Sequence, residues 1–277
     1  MTPETSLVHA YLKASPETRI AFSRTLQGGL TSGTVLVDKH LRPMTDWVYG
    51  QIRERVGPQK LTAAQARMYI KELSVFARYN AAYLRQAAAS VEAFCPALAH
   101  ELYRNFLEEG GEPGKVPAHY VLYTTALLSD LDLLVTGHVP APETQTLLLL
   151  HERMVNSHQP SNIAGGYYAT EGVAIAETEL LREITNRYGE LTTGASGPQL
   201  EKLDDYYRLH LDDDHDAAPA DGLSVEAAHI EGLAGFLRKS ETFRLDLPQA
   251  LTGFLEIFEG MAQWWTQLAY RAQEMVR

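Results

Sequence analysis

Apolar residues recur at helical spacing along nearly the whole chain, and the alternation that marks a half-buried strand is nearly absent. The polar positions punctuate that pattern. Thr2-Pro3-Glu4 and Ser15-Pro16-Glu17 each place a capping hydroxyl before proline at the first helical position. Thr62 with Gln65, and Ser196 with Gln199, form capping boxes. Gly57, Gly110-Gly111, Gly137 and Gly189 close periodic segments. These signals predict helices over 3–14, 16–27, 40–56, 62–92, 96–109, 117–136, 142–158, 162–189, 197–213, 224–239 and 247–275. An all-α fold is expected. Residues 1–61 are read as an N-terminal helical elaboration and 62–277 as a helical bundle, together one compact domain. The stretches 28–33 and 189–198 read as loops, neither long enough to separate domains.

Composition narrows the function classes. A chain of 277 residues can bury a full core. Its net charge of -11 argues against non-specific nucleic-acid binding and against an anionic membrane surface. A small acidic substrate remains compatible, because a local metal or arginine outweighs the global sign. Cys95 is the single cysteine, so no internal disulfide forms, as in a reducing compartment. Flanked by Phe94 and Pro96, it reads as a small buried residue at a helix start. The N-terminus lacks the basic and apolar regions of a secretory signal. No apolar run reaches the roughly eighteen residues of a spanning helix. A cytoplasmic protein is expected.

Glu171 is the strongest chemical candidate. It is the only charged residue between Gln159 and Ala176, in a helix apolar on nearly every side and therefore buried. An isolated carboxylate there costs several kcal/mol unless a cation, a proton or a hydrogen-bonding partner offsets it. His210 and Asp214 stand four apart and share a helix face. The tract Asp212-Asp213-Asp214-His215 also reads as a solvated acidic helix end. Glu109 and His119 flank a glycine-rich turn, where a helix hairpin would bring both toward the centre of a bundle. Glu108 and Glu112 are register alternatives for Glu109. Glu177 is an alternative to Glu171, although its neighbours Glu179 and Arg182 suggest a solvated face. His138, His151, His158 and His229 have no partner at ligand spacing and read as structural. Trp264, Trp265, Phe254 and Phe258 in the last helix read as core packing or as the face of a homodimer.

The order N-x3-E-x9-H from Asn105, then a lone buried Glu, then H-x3-D resembles the haem-oxygenase-like dimetal oxidases. Residues 69–80, rich in aromatics, are similar to the early helix of these proteins, and the resemblance covers roughly 70–235. It implies a haem-oxygenase-like bundle in which Glu109, His119, Glu171, His210 and Asp214 ligate two ferrous ions, with manganese an alternative metal. It also implies that dioxygen is the co-substrate and that an amino acid, a fatty acid or an amine is oxidised in a biosynthetic pathway. The family pattern ends H-x3-D-x2-H, but three residues past Asp214 stands Ala217. Either His215 fills that place through a bulged turn, or one ion is labile. Glu72 and Gln86 are candidates for an extra bridging ligand. The competing readings are a metal-free member of the same fold, either a cofactorless oxidase of a quinone precursor or a small-molecule binding protein, and a helical scaffold with a solvated acidic patch.

Overall fold

A computed structural model describes residues 15–111, 117–212 and 224–275. The helix expected at 3–14 lies outside them. Among the described residues every regular element is helical. The elements are α1 (Pro16–Gly28), α2 (Arg42–Val56), α3 (Ala63–Val91), α4 (Pro96–Gly110), α5 (His119–Leu131), α6 (Pro142–Val155), α7 (Pro160–Thr192), α8 (Glu201–Leu211), α9 (Val225–Arg238) and α10 (Leu247–Glu274).

At Ser15, Thr62 and Gly57 the caps act as read. The Ser15 hydroxyl accepts from the Thr18 backbone. The Thr62–Gln65 box closes in both directions at the start of α3. Gly57 ends α2 in the left-handed region at φ 54°. Ser196 and Gln199 also form a capping box, although it heads a single turn, Gly197–Gln199, before α8.

Four boundaries differ for local reasons. α5 stops at Leu131, not 136, because Asp132 turns left-handed at φ 49° and its N–H bonds back to Leu127 and Leu128. α6 ends at Val155, three residues short. α7 continues through Gly189 to Thr192, so that glycine is not a stop. Ahead of α2, the chain becomes helical at Gly33–Val35 and passes through a π-helical stretch, Leu36–Leu41, rather than starting at residue 40.

The bundle is organised around α7, which packs most extensively on α10 and also meets α2, α3, α8 and α9. The α7–α10 crossing brings backbone against backbone. A Cβ on Gly165 would run into the Ala250 carbonyl, and one on Gly253 into that of Asn162. Only glycine permits this approach, and it buries the whole stretch Ser161–Glu171. Leu36, Val37, Leu41, Met44 and Val48 join the same core from the N-terminal side. Trp264, Trp265, Phe254 and Phe258 are buried there as well. They are core packing, not a free face for a second subunit. Cys95 occupies the N-cap position of α4, buried, with Pro96 behind it. No described helix is long and apolar enough to cross a membrane.

Candidate metal centre

α4 ends beside the start of α5, and α9 packs against both α4 and α7. The first consequence is a set of three carboxylates around one imidazole. His229, on α9, is completely buried. Its Nδ1 lies 3.5 Å from Glu171 Oε2 and 4.0 Å from Glu109 Oε1. Glu226 stands one turn earlier on α9. Glu109, Glu226 and His229 each offer one ligand atom, and the three atoms lie within 4.8 Å of one another. His229 Nδ1 and Glu171 Oε1 are buried without a hydrogen-bond partner among the described residues.

A chain of contacts fixes the His229 ring. Its Nε2 donates to Glu108 Oε2 at 2.6 Å. Arg104 holds Glu108 at 3.1 Å and also bonds Glu101 and the Ala228 carbonyl. A carboxylate behind an imidazole fixes the tautomer and leaves the other nitrogen's lone pair for a metal. In this structure Glu108 is therefore the residue behind His229, and Glu109 is the one that enters the cluster.

The second consequence is a histidine pair at the edge of the same cluster. His119 opens α5, and its Nδ1 lies 3.4 Å from Glu109 Oε1. His210, on α8, donates from Nδ1 to the Tyr206 carbonyl at 2.7 Å. Its Nε2 is then an acceptor, 3.1 Å from His119 Nδ1. Glu109 Oε1 thus stands between the His119–His210 pair and His229.

The electrostatics follow from packing like charges in a dry interior. Burial and the charge of Glu109 push the Glu226 carboxyl well above its ordinary range. Burial works against the charged form of His229, but its bond to Glu108 and the nearby Glu171 carboxylate raise it well above the usual imidazole value. Burial also works to raise Glu109, yet His119, His229 and His210 outweigh it and hold that carboxyl down to about 2. Burial and then the neighbouring His119 lower His210 to about 4, which keeps it neutral and able to ligate. Protons therefore balance the charge when no cation is present.

The structure brings together four of the six residues the sequence singled out: Glu109, His119, Glu171 and His210. Asp214, His215 and Ala217 lie outside the described residues, as does Glu112. Two residues were missed. His229 is not a structural histidine remote from other ligands but the centre of the cluster, and Glu226 stands beside it. The signal was present. Glu226 and His229 have the spacing of the last two positions of H-x3-D-x2-H, with Glu for Asp, and the first position falls on Gly222.

Other readings are corrected as well. Glu177 is not on a solvated face. It accepts from Trp265 Nε1 at 2.5 Å, and burial pushes it up to about 7. Glu72 is no bridging ligand, because both its oxygens are already bonded. His138, Ala141 N–H and Thr144 supply the partners. Gln86 bonds Asn156 instead. His151 is a satisfied core histidine between the Leu147 carbonyl and Thr170.

Comparison with known proteins agrees with this architecture. Residues 58–271 match DUF3865, described as a domain of unknown function with a solved structure. Two crystal structures of a CADD-like protein of unknown function from Nostoc punctiforme are similar. One aligns at 20% identity and TM-score 0.62, covering 93% of this chain and 97% of that one. The other aligns at 21% identity and TM-score 0.63, covering 92% and 99%. A domain of unknown function with a heme oxygenase-like fold from Shewanella denitrificans aligns at 14% identity and TM-score 0.54, covering 94% of each chain. The fold is the all-α heme oxygenase-like bundle. No curated protein matches the chain significantly.

Proposed function

The chain belongs to the DUF3865 family, and from that premise we propose that it is an oxygen-dependent oxidoreductase built on two non-haem ferrous ions. The observation that carries this reading is the pair at the cluster's centre, His229 Nδ1 and Glu171 Oε1, buried and without a hydrogen-bond partner among the described residues. Leaving such groups unsatisfied costs about 1–3 kcal/mol each, more when charged. Three carboxylates and three imidazoles converging in a dry interior are an unfavourable way to build a core and a favourable way to hold divalent cations. The mixed oxygen and nitrogen donors suit ferrous iron or manganese.

Glu171, Glu226 and His229 would hold one ion, His119 and His210 the second, with Glu109 shared between them. His210, arriving from α8, would supply the imidazole that Gly222 does not. The mismatch at Ala217 then ceases to favour a metal-free protein. When bound, the ions would supply the redox chemistry that activates dioxygen. The chain's own residues do the rest. Arg104 and Glu108 hold His229 in its ligating tautomer. The Tyr206 carbonyl does the same for His210. Asn105 and Tyr167, one turn from Glu109 and Glu171, keep buried polar atoms without partners among the described residues. Both are available to a substrate's polar group.

A groove of about 590 Å³ between α5 and α8 is lined by Val121, Leu122, Ala126, Tyr206 and Leu209. The Tyr206 ring lies 4.2 Å from that of His210. This suits a small substrate with an apolar body, of the amino-acid, fatty-acid or amine classes.

Anaerobic titration with ferrous iron tests the proposal. Two ions per chain are expected, followed by oxygen uptake on exposure to air. A protein that takes up no iron or manganese above background is not this enzyme.

A further inference from the structure

On a chain with net charge -11, one cavity is rimmed by cations. It has a volume of about 520 Å³ and opens between the first half of α3, the ends of α7 and α10, and the segment around His138. None of the carboxylate–histidine cluster lines it. Arg67 and Lys71 stand one turn apart on α3 and project from one face. Neither side chain has an ion pair or hydrogen bond to the described residues. Arg271 reaches in from α10, with only a loose contact to Glu143 at 3.5 Å.

The carboxylate in the wall, Glu72, does not neutralise them. It is 2% exposed and saturated by the Ala141 N–H, the Thr144 hydroxyl and His138. Met68, Tyr188 and Met275 supply an apolar lining. Two arginines and a lysine around an apolar-floored cavity complement an anionic group on an apolar body, since guanidinium forks match carboxylate and phosphate oxygens. The volume is that of a small-molecule pocket.

We propose that this cavity binds a small organic anion, a carboxylate or a phosphate monoester, gripped by Arg67, Lys71 and Arg271 at a site separate from the metal centre. Calorimetric titration of the full chain with phenyl phosphate, benzoate and the neutral benzyl alcohol tests it. One-site saturable binding of at least one anion is expected, with none of the alcohol. Phenyl phosphate alone would assign phosphate esters, and benzoate alone carboxylates. Arg67→Ala with Lys71→Ala should weaken that binding about tenfold or more, while Glu171→Ala leaves it unchanged. Arg67 is exposed and Lys71 half-buried, so the double variant keeps its core, and Arg271→Gln provides an independent variant. Absence of saturable anion binding would overturn the proposal. So would full affinity in both variants, or loss of binding in Glu171→Ala.

Discussion

The bundle contains two buried carboxylate–histidine groups, and they differ in one respect. Around Glu72 every polar atom is spoken for. One oxygen meets His138 at 2.8 Å, the other meets Thr144 at 2.6 Å, and the Ala141 N–H donates to it as well. Trp264 Nε1 then bonds the Thr144 hydroxyl, tying α10 to α6. Around Glu171 the residue types are the same, but an oxygen of Glu171 and a nitrogen of His229 have no partner among the described residues. A satisfied buried carboxylate is a fastener that specifies where a loop sits. An unsatisfied one, among two more carboxylates and several imidazoles, is the arrangement the proposed metal site calls for. Burial alone does not separate the two, since Glu72 and Glu171 are each 2% exposed.

The largest expected effect breaks this contrast at its metal side. Glu171→Ala should abolish iron binding, as measured by metal analysis after anaerobic loading. It should leave the metal-free protein as stable as the parent or more so, because a buried charge is gone. Iron uptake equal to the parent's would remove Glu171 from the ligand set.

Glu72→Ala should do the reverse. Breaking a satisfied buried network costs about 3 kcal/mol, read as a lower midpoint in denaturant unfolding, while the folded fraction still loads iron. Should Glu72→Ala lose iron without losing stability, the assignment of the two sites is inverted.

Glu108→Gln probes a residue one step removed. Loss of the carboxylate behind a ligating imidazole should lower metal affinity by about 10–100-fold without changing stoichiometry. An unchanged dissociation constant would mean that Glu108 does not orient His229.

Proton release is a smaller effect with a definite sign. Glu226 and His229 both have folded-state values raised well above the ordinary ones, which favours their protonated forms when no metal is bound. Metal loading should therefore release protons at pH 7, seen as calorimetric heats that vary with the buffer's ionisation enthalpy. Heats independent of buffer would contradict it. The smallest effect is expected at His215. With Glu226 and His229 completing the cluster, His215→Ala should leave iron occupancy unchanged, and loss of one ion would restore His215 as a ligand.

Much of the fold was legible along the chain because its signals are local. A hydroxyl three residues before an amide partner, or a glycine at a left-handed position, acts within one turn, and the helix starts at Pro16 and Ala63 follow from such neighbours. Glu171 was legible for the same reason, as one charge in eighteen residues of apolar helix. His229 was not. Its partners Glu108, Glu109 and Glu171 are distant in sequence, and nothing within one turn of it except Glu226 hints at a site. The expected run His210–Asp214 drew attention to one acidic tract, while Glu226 and His229 lay on the next helix.

The sequence by itself determined that the chain is helical, where most helices begin, and that an isolated carboxylate would be buried in α7. Tertiary structure decided which histidines face that carboxylate, and which buried glutamate is saturated and which is left open. The physical reason is range. Capping and periodicity are settled by contacts within a few residues, whereas a hydrogen bond's presence or absence at the core depends on how α4, α5, α8 and α9 are packed around α7.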